Sequence, residues 1–249
     1  MPVRLAPAGP LREGRGGVSL ATEAHGAPSS ADRLARNLRG FGPLGILAIL
    51  VIVLVGNDPI APLGAVLALT WARWSRTPWH EIGFVAPTSW AVTVAAGIAL
   101  GIAFKLLMKA IVMPLLGADP INHAYHYLVG NRAALPGALY LMIVGAGFGE
   151  ETVFRGFLFE RLGKLFGPSP RAKISIVLIT AALFGAAHYP NQGLSGAEQA
   201  AIVGLVFGTI FAITGRIWML MVAHAAFDLT ALAIIYWDLE SSVAHLVFR

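Results

Sequence analysis

From Phe41 to Tyr236 the chain is a succession of long apolar runs, and two of them, Phe41–Asn57 and Ala134–Phe148, contain no charged residue at all. Hydrocarbon offers no hydrogen bonds, so a backbone placed in it must satisfy itself as a helix or a closed barrel. No series of alternating strands is visible, and the runs are long enough for helices. Composition agrees: 57% of the residues are hydrophobic and 12% are charged, where soluble domains carry about a quarter charged. The fold expected is an all-α polytopic transmembrane helical bundle of about seven spans, six to eight at the limits. Helices are placed near 41–56, 59–74, 89–115, 134–155 (with an extension to 165), 172–188, 198–214 and 217–238. The first two are short for a crossing of about 20 residues.

Three stretches follow. Residues 1–40 are rich in Gly, Pro, Ala and Arg and hold no signal-peptide core, so they read as a disordered or basic cytoplasmic tail, with Ala31–Arg39 a short basic surface helix. Residues 41–130 are N-terminal membrane helices, and 131–240 form the membrane domain that carries the chemistry described below. Asn57-Asp58-Pro59 reads as a turn, Ser195–Glu198 as a capping box, and Gly204 with Gly208 as a close helix contact. Lys and Arg gather on segments that fall on one side of this topology, with only Arg132 and Arg249 on the other. That asymmetry orients the N-terminus inside and the C-terminus outside, in a multi-pass protein of the inner (plasma) membrane. The net charge of +5 is not interleaved with aromatics, so no nucleic-acid partner is expected; the partner is the lipid bilayer. Trp71, Trp74, Trp79 and Trp90 read as an interfacial belt. Cysteine is absent, which excludes disulfides and thiolate chemistry.

Against this background a few ionisable residues stand out. Glu150, Glu151 and Arg155 follow the charge-free run, His188 ends the fifth apolar segment, and His224 and Asp228 lie in the seventh. Ionisable groups at membrane depth cost several kcal/mol, on the order of +2.5–3.5 each for Arg, Lys or Asp by insertion, so they mark functional sites by default. Arg155 lies four residues after Glu151, the spacing of a helical ion pair, and Glu150 is left without that partner. His224 and Asp228, also four apart, share a helical face, as do Phe184 and His188. Carboxylates and imidazoles drawn from three helices are the ingredients of water activation: a glutamate takes the proton, and imidazoles or a metal hold the oxyanion.

The three motifs EETVFR (150–155), FGAAH (184–188) and HAAFD (224–228) occur in the order of the CPBP intramembrane protease family, which this chain resembles. This is the Abi family, which includes CAAX prenyl endopeptidases and bacteriocin-immunity proteins. The stretch Trp79–Phe84 resembles a short element upstream in the same family. The resemblance implies an endopeptidase acting on a membrane-embedded peptide or a lipidated, CAAX-like protein. It makes Glu150 the general base with His188 its partner, His224 and residue 228 the oxyanion holders, and Glu151 and Arg155 supports. The prenyl endopeptidases carry Asn where this chain has Asp228. A charged carboxylate cannot donate to an oxyanion, so Asp228 favours a metal ligand or an orienter of His224. A metal, if bound, is expected to be Zn on His188 and His224.

Other classes are weighed on the same residues. A proton-coupled transporter also uses intramembrane Glu, His and Asp, although these acids cluster rather than forming a ladder. A bacteriocin-immunity factor would keep the fold without cleavage. Gly193–Gly196 has the GxSG form of a rhomboid serine protease, but a helix cap explains Ser195 equally. Lys105 and Lys109 are expected to snorkel or face the bundle, and His123 and His126 to be solvated. One strain is visible: counting about 1.5 Å per residue puts Glu150 near the inner face and His188 nearer the outer. They meet only if the fourth helix is long and runs to about Phe166, or if the fifth begins well outside the membrane.

Overall fold

The computed structural model describes residues 29–56 and 62–248. The expected tail before Ser29, the Asn57–Pro59 turn and Arg249 lie outside the described residues. Those described form helices and connecting loops, with no strand among them.

The first helix, α1 (Ser30–Arg39), opens on a reciprocal cap in which the Ser29 hydroxyl accepts from the Asp32 amide and the Asp32 carboxylate accepts from the Ser29 amide. This part of the expected tail is ordered and docked, because Trp71 donates its indole N–H to the Leu38 carbonyl at 3.1 Å. Helix α2 (Pro43–Gly56) leaves α1 at a 60° bend, and α3 (Leu63–Ser75) packs on both. Trp71 is thus in the core rather than in an interfacial belt: it is buried against Phe157 and beneath the Arg161 guanidinium. Trp74, Trp79 and Trp90 are exposed.

Four helices are long and apolar enough to cross a membrane: Trp90–Leu115 (α4), Arg132–Phe166 (α5), Pro170–Thr214 (α6) and Trp218–Tyr236 (α7), or five if the bent α1–α2 pair is one span. Seven spans are not reproduced. At 14 and 13 residues, α2 and α3 fall short of the roughly 20 a crossing needs. The fifth and sixth expected helices form the single 45-residue α6, broken where Gly193 takes φ 64° and ψ −163°. Only glycine adopts that conformation without strain. The two arms of α6, 170–192 and 194–214, turn back on each other there. Gly185 faces Ala197 and Ala201, Gly204 lies on Ala181, and Lys173 donates to the Ala212 carbonyl. The Gly204–Gly208 contact therefore forms as expected. The Ser195–Glu198 capping box does not form, since helix continues on both sides of the break at Gly193.

Helix α5 resolves the depth problem. It is one rod of 35 residues reaching Phe166, so Glu150 lies near its middle and level with His188 on the returning arm of α6. Its central part is wound as π-helix, from Leu141 to Glu150 and from Thr152 to Phe157. Such windings concentrate at functional sites. Helix α7 packs along α4 so closely that a Cβ on Gly101 would lie 2.3 Å from the Ala223 carbonyl oxygen. This contact fixes the height of His224 and Asp228. The helix α8 (Glu240–Ala244) closes the far end. Side chains such as Leu54, Ile213 and Val92 stand exposed around the outside, as befits a surface that meets lipid tails rather than water. The protein is an all-helical membrane protein.

Candidate active site

The centre of the site is His224. Its Nδ1 donates to Glu151 Oε1 at 2.7 Å, and the same oxygen accepts from Arg155 Nη1 at 2.9 Å. All three side chains are buried, Glu151 completely. Arg155 is held flat by aromatic rings, with Phe184 4.7 Å and Phe207 5.7 Å from its guanidinium carbon. The expected ion pair is therefore present, and it does more than join two residues of one helix. It sets the tautomer and orientation of an imidazole on α7, and nothing in the sequence spacing had linked Glu151 to His224.

The other imidazole nitrogen, Nε2, faces Glu150 Oε2 at 3.7 Å and Asp228 Oδ2 at 3.8 Å. Both separations exceed hydrogen-bond range. Glu150 Oε2 is buried and has no hydrogen-bond partner. Asp228 was expected to orient His224 or bind a metal; the orienting bond comes from Glu151 instead. His188 uses its Nδ1 to donate to the Phe184 carbonyl at 2.8 Å, and its ring lies against Phe184. That bond leaves Nε2 as the nitrogen available for chemistry.

Glu150, His188, His224 and Asp228 line one cavity of about 250 Å³, so the structure brings together the residues singled out from three apolar segments. Glu151 and Arg155 sit behind its wall. The cavity is also lined by groups the sequence reading did not place there: Tyr125 from the α4–α5 loop, and Asn191, Gln192 and Gln199 around the α6 turn. Tyr125 accepts a hydrogen bond from Gln192 Nε2 at 3.1 Å. Burial, reinforced by the negative charges of Asp228 and Glu150, pushes its hydroxyl up to about 12, so it stays protonated and able to donate. Loop tyrosines carry no periodic signal, and only the fold shows that this one reaches the acids. Lys105 and Lys109 face the bundle, as one of their two expected placements had it, and Lys109 pairs with Glu240 at 3.1 Å. His123 and His126 are both exposed, as expected, the first 3.1 Å from Asp119 and the second 3.7 Å from Glu240. Ser195 makes no hydrogen bond to a histidine, and His224, the base imagined for it, has its Nδ1 committed to Glu151.

The Zn expected on His188 and His224 would meet the Nε2 of each ring, since Nδ1 is the nitrogen already bonded. His224 has one nitrogen bonded to Glu151 and His188 has one bonded to a carbonyl. Among the described residues no three His, Asp or Glu side chains are grouped to hold a metal ion.

A bundle of apolar helices around a buried carboxylate–imidazole cluster, open to an internal cavity, is a membrane protein with a built polar site inside its bundle. Residues 132–230, about two fifths of the chain, match the family model described as type II CAAX prenyl endopeptidase Rce1-like, in the order of elements that carries the three motifs. No curated protein and no solved structure matches the chain.

Proposed function

We propose that this protein is an intramembrane endopeptidase that hydrolyses a peptide bond of a membrane-anchored or lipidated, CAAX-like substrate, using residues 131–240 as its catalytic domain. The observation that carries the reading is His224 clamped by Glu151 on one nitrogen while the other faces Glu150 and Asp228 across the cavity. Glu150, which lines the cavity and whose Oε2 has no hydrogen-bond partner, takes a proton from water as the water oxygen attacks the carbonyl carbon. His188 Nε2 orients that water. In its doubly protonated form His224 donates from Nε2 to the oxyanion, and Glu151 beside it carries the counter-charge. The C–N bond then breaks, and Glu150 returns the proton to the departing amine.

Asp228 replaces the amide donor of the prenyl endopeptidases, and the protonated Tyr125 hydroxyl supplies a neutral donor in the same cavity. Arg155 acts through Glu151 and is a positioning residue. The substrate enters laterally or from the inner face of a plasma membrane in which the basic end of the bundle is inside. The salt bridges Arg76–Asp32 and Lys164–Glu81 and the Arg161–Arg39 bond support that orientation, because they gather the basic residues at one end.

The test is peptide release by the purified protein in lipid, from a library of membrane-anchored peptides. Cleavage is expected from wild type and not from Glu150→Ala or His188→Ala at matched folding. Activity that survived both substitutions would overturn the assignment.

A further inference from the structure

Hydrolysis consumes a water for each bond cut, and hydrocarbon holds none, so a site among apolar helices must draw water from one face of the membrane. Beside the site cavity lies a larger one of about 480 Å³, and Lys105, Gln192, Gln199 and Ala231 line both. Asp119, Ser195 and Glu240 line the larger cavity alone, from the α4–α5 loop, the α6 turn and α8. The two ends of α7 show which end of the bundle this is. At its start the Ile217 amide donates to the carbonyl of Gly83, two residues from the Glu81 that bridges to Lys164 at the basic end. At its finish the Tyr236 carbonyl accepts from the Gly130 amide of the α4–α5 loop. The larger cavity therefore lies at the end opposite the basic residues.

The polar groups of this joined space suit water. Glu240 is buried, and its Oε1 accepts from Lys109 at 3.1 Å and from the Asn122 amide at 3.0 Å. Together with the Lys109 bond to the Pro120 carbonyl, these contacts pin the loop as a roof. Glu240 Oε2 is buried with no hydrogen-bond partner, His126 standing 3.7 Å away, and Glu150 Oε2 in the site has none either. On the shared wall the Lys105 ammonium, which has three N–H donors, gives one to Gln199 Oε1 at 3.0 Å. Buried polar atoms are nearly always paired. An anion here would meet Glu150 and Glu240, and a cation would meet Lys105 and Lys109. Water is neutral and both donates and accepts, so it serves all four. We infer that the two cavities form one water-filled passage that feeds Glu150 from the membrane face opposite the basic end. The passage stands apart from the protease reading, on which only its purpose rests.

The chain contains no cysteine, so single introduced thiols can trace the passage. Ala231→Cys lies on the shared wall, and Ala146→Cys lies in the site cavity one helical turn before Glu150. His123→Cys and Pro168→Cys, both at exposed positions, mark the loop end and the basic end. Each full-length variant is treated with a small membrane-impermeant methanethiosulfonate, in intact cells and again after permeabilisation. A thiol reacts as its thiolate, which apolar burial suppresses, so labelling reports water. Both cavity positions are expected to react from the side on which His123→Cys reacts. Ser195→Trp, which fills the larger cavity, is expected to cause the loss of most reaction at Ala146→Cys. Reaction from the side of Pro168→Cys overturns the inference, as does no reaction at either cavity position. An Ala146→Cys rate that Ser195→Trp leaves unchanged overturns it too. Ser195→Cys is a further position in the larger cavity should an alanine variant not fold. Labelling from the loop side in a protein that releases no peptide retires the protease reading and keeps the passage. Peptide release with labelling only from the basic side retires the passage alone.

Discussion

Glu151→Ala is the most informative single change, because one oxygen of that side chain accepts from two buried donors. Its loss leaves the Arg155 guanidinium with no acceptor on Nη1, and Nη2 already has none. It also frees His224 Nδ1. The rings of Phe184 and Phe207 remain, but a desolvated cation–π contact supplies only about 2 kcal/mol and is present before the change as well. Removing one partner of a buried ion pair costs about 3–5 kcal/mol. Polar contacts between membrane helices average less, about 0.6 kcal/mol, because the unfolded helices find other partners. Here the larger figure applies, since Glu151 and Arg155 are 0% and 1% exposed and their substitutes would have to come from apolar neighbours. The assay is equilibrium unfolding in bicelles, followed by tryptophan fluorescence. Arg155→Met and the double variant complete a cycle, in which the double loses less than the sum of the singles by about 0.5–3 kcal/mol. A Glu151→Ala protein within about 1 kcal/mol of wild type, or strict additivity in the cycle, would refute the idea that this carboxylate holds the site together.

Gly101→Ala puts a methyl into the Ala223 carbonyl and 2.7 Å from the Ala226 methyl, so it should destabilise by about 1–3 kcal/mol and lower cleavage by shifting α7. Gly137→Ala, which meets nothing within 4 Å, should do neither, and both are read by thermal unfolding and peptide release. Tyr125 has its folded pKa raised to about 12 against about 10 when unfolded. Its contribution to stability is therefore complete below pH 10 and lost as pH rises through 12. Tyr125→Phe should lack that part of the alkaline slope, measured by unfolding wild type and variant side by side. Chelator should leave peptide release unchanged, given that among the described residues no three donors are grouped for a metal; loss restored by added Zn would show that the side chains regroup around one.

The residues of the site were legible because charge in an apolar run is expensive and therefore conspicuous. Glu150, Glu151, Arg155, His188, His224 and Asp228 announce themselves in this way, and the structure places them together. What the sequence could not carry was pairing across helices. Spacing reports only neighbours on one helix, so it finds Glu151–Arg155 and His224–Asp228 but not Glu151–His224, the contact that orients the imidazole. Tyr125 and Gln192 sit at a loop and a turn, where no period exists to place them.

The span count failed for a related physical reason. Hydropathy measures how long a run is apolar, not which way the chain points. Counting treated every apolar run as a crossing, including the 14 residues of α2 and the 13 of α3. The same blindness produced the apparent mismatch in depth between Glu150 and His188. Glu150 was counted from the start of an apolar run taken to end near Arg155, although the helix continues through the charged turn Glu160–Arg161 to Phe166. Those two charges bond each other and are buried, so they interrupt the hydropathy of α5 without interrupting its backbone. A paired charge is thus nearly silent to the fold while loud in the sequence, whereas Lys105, quiet in the sequence among leucines, is a buried cation for which no carboxylate among the described residues lies within ion-pair distance.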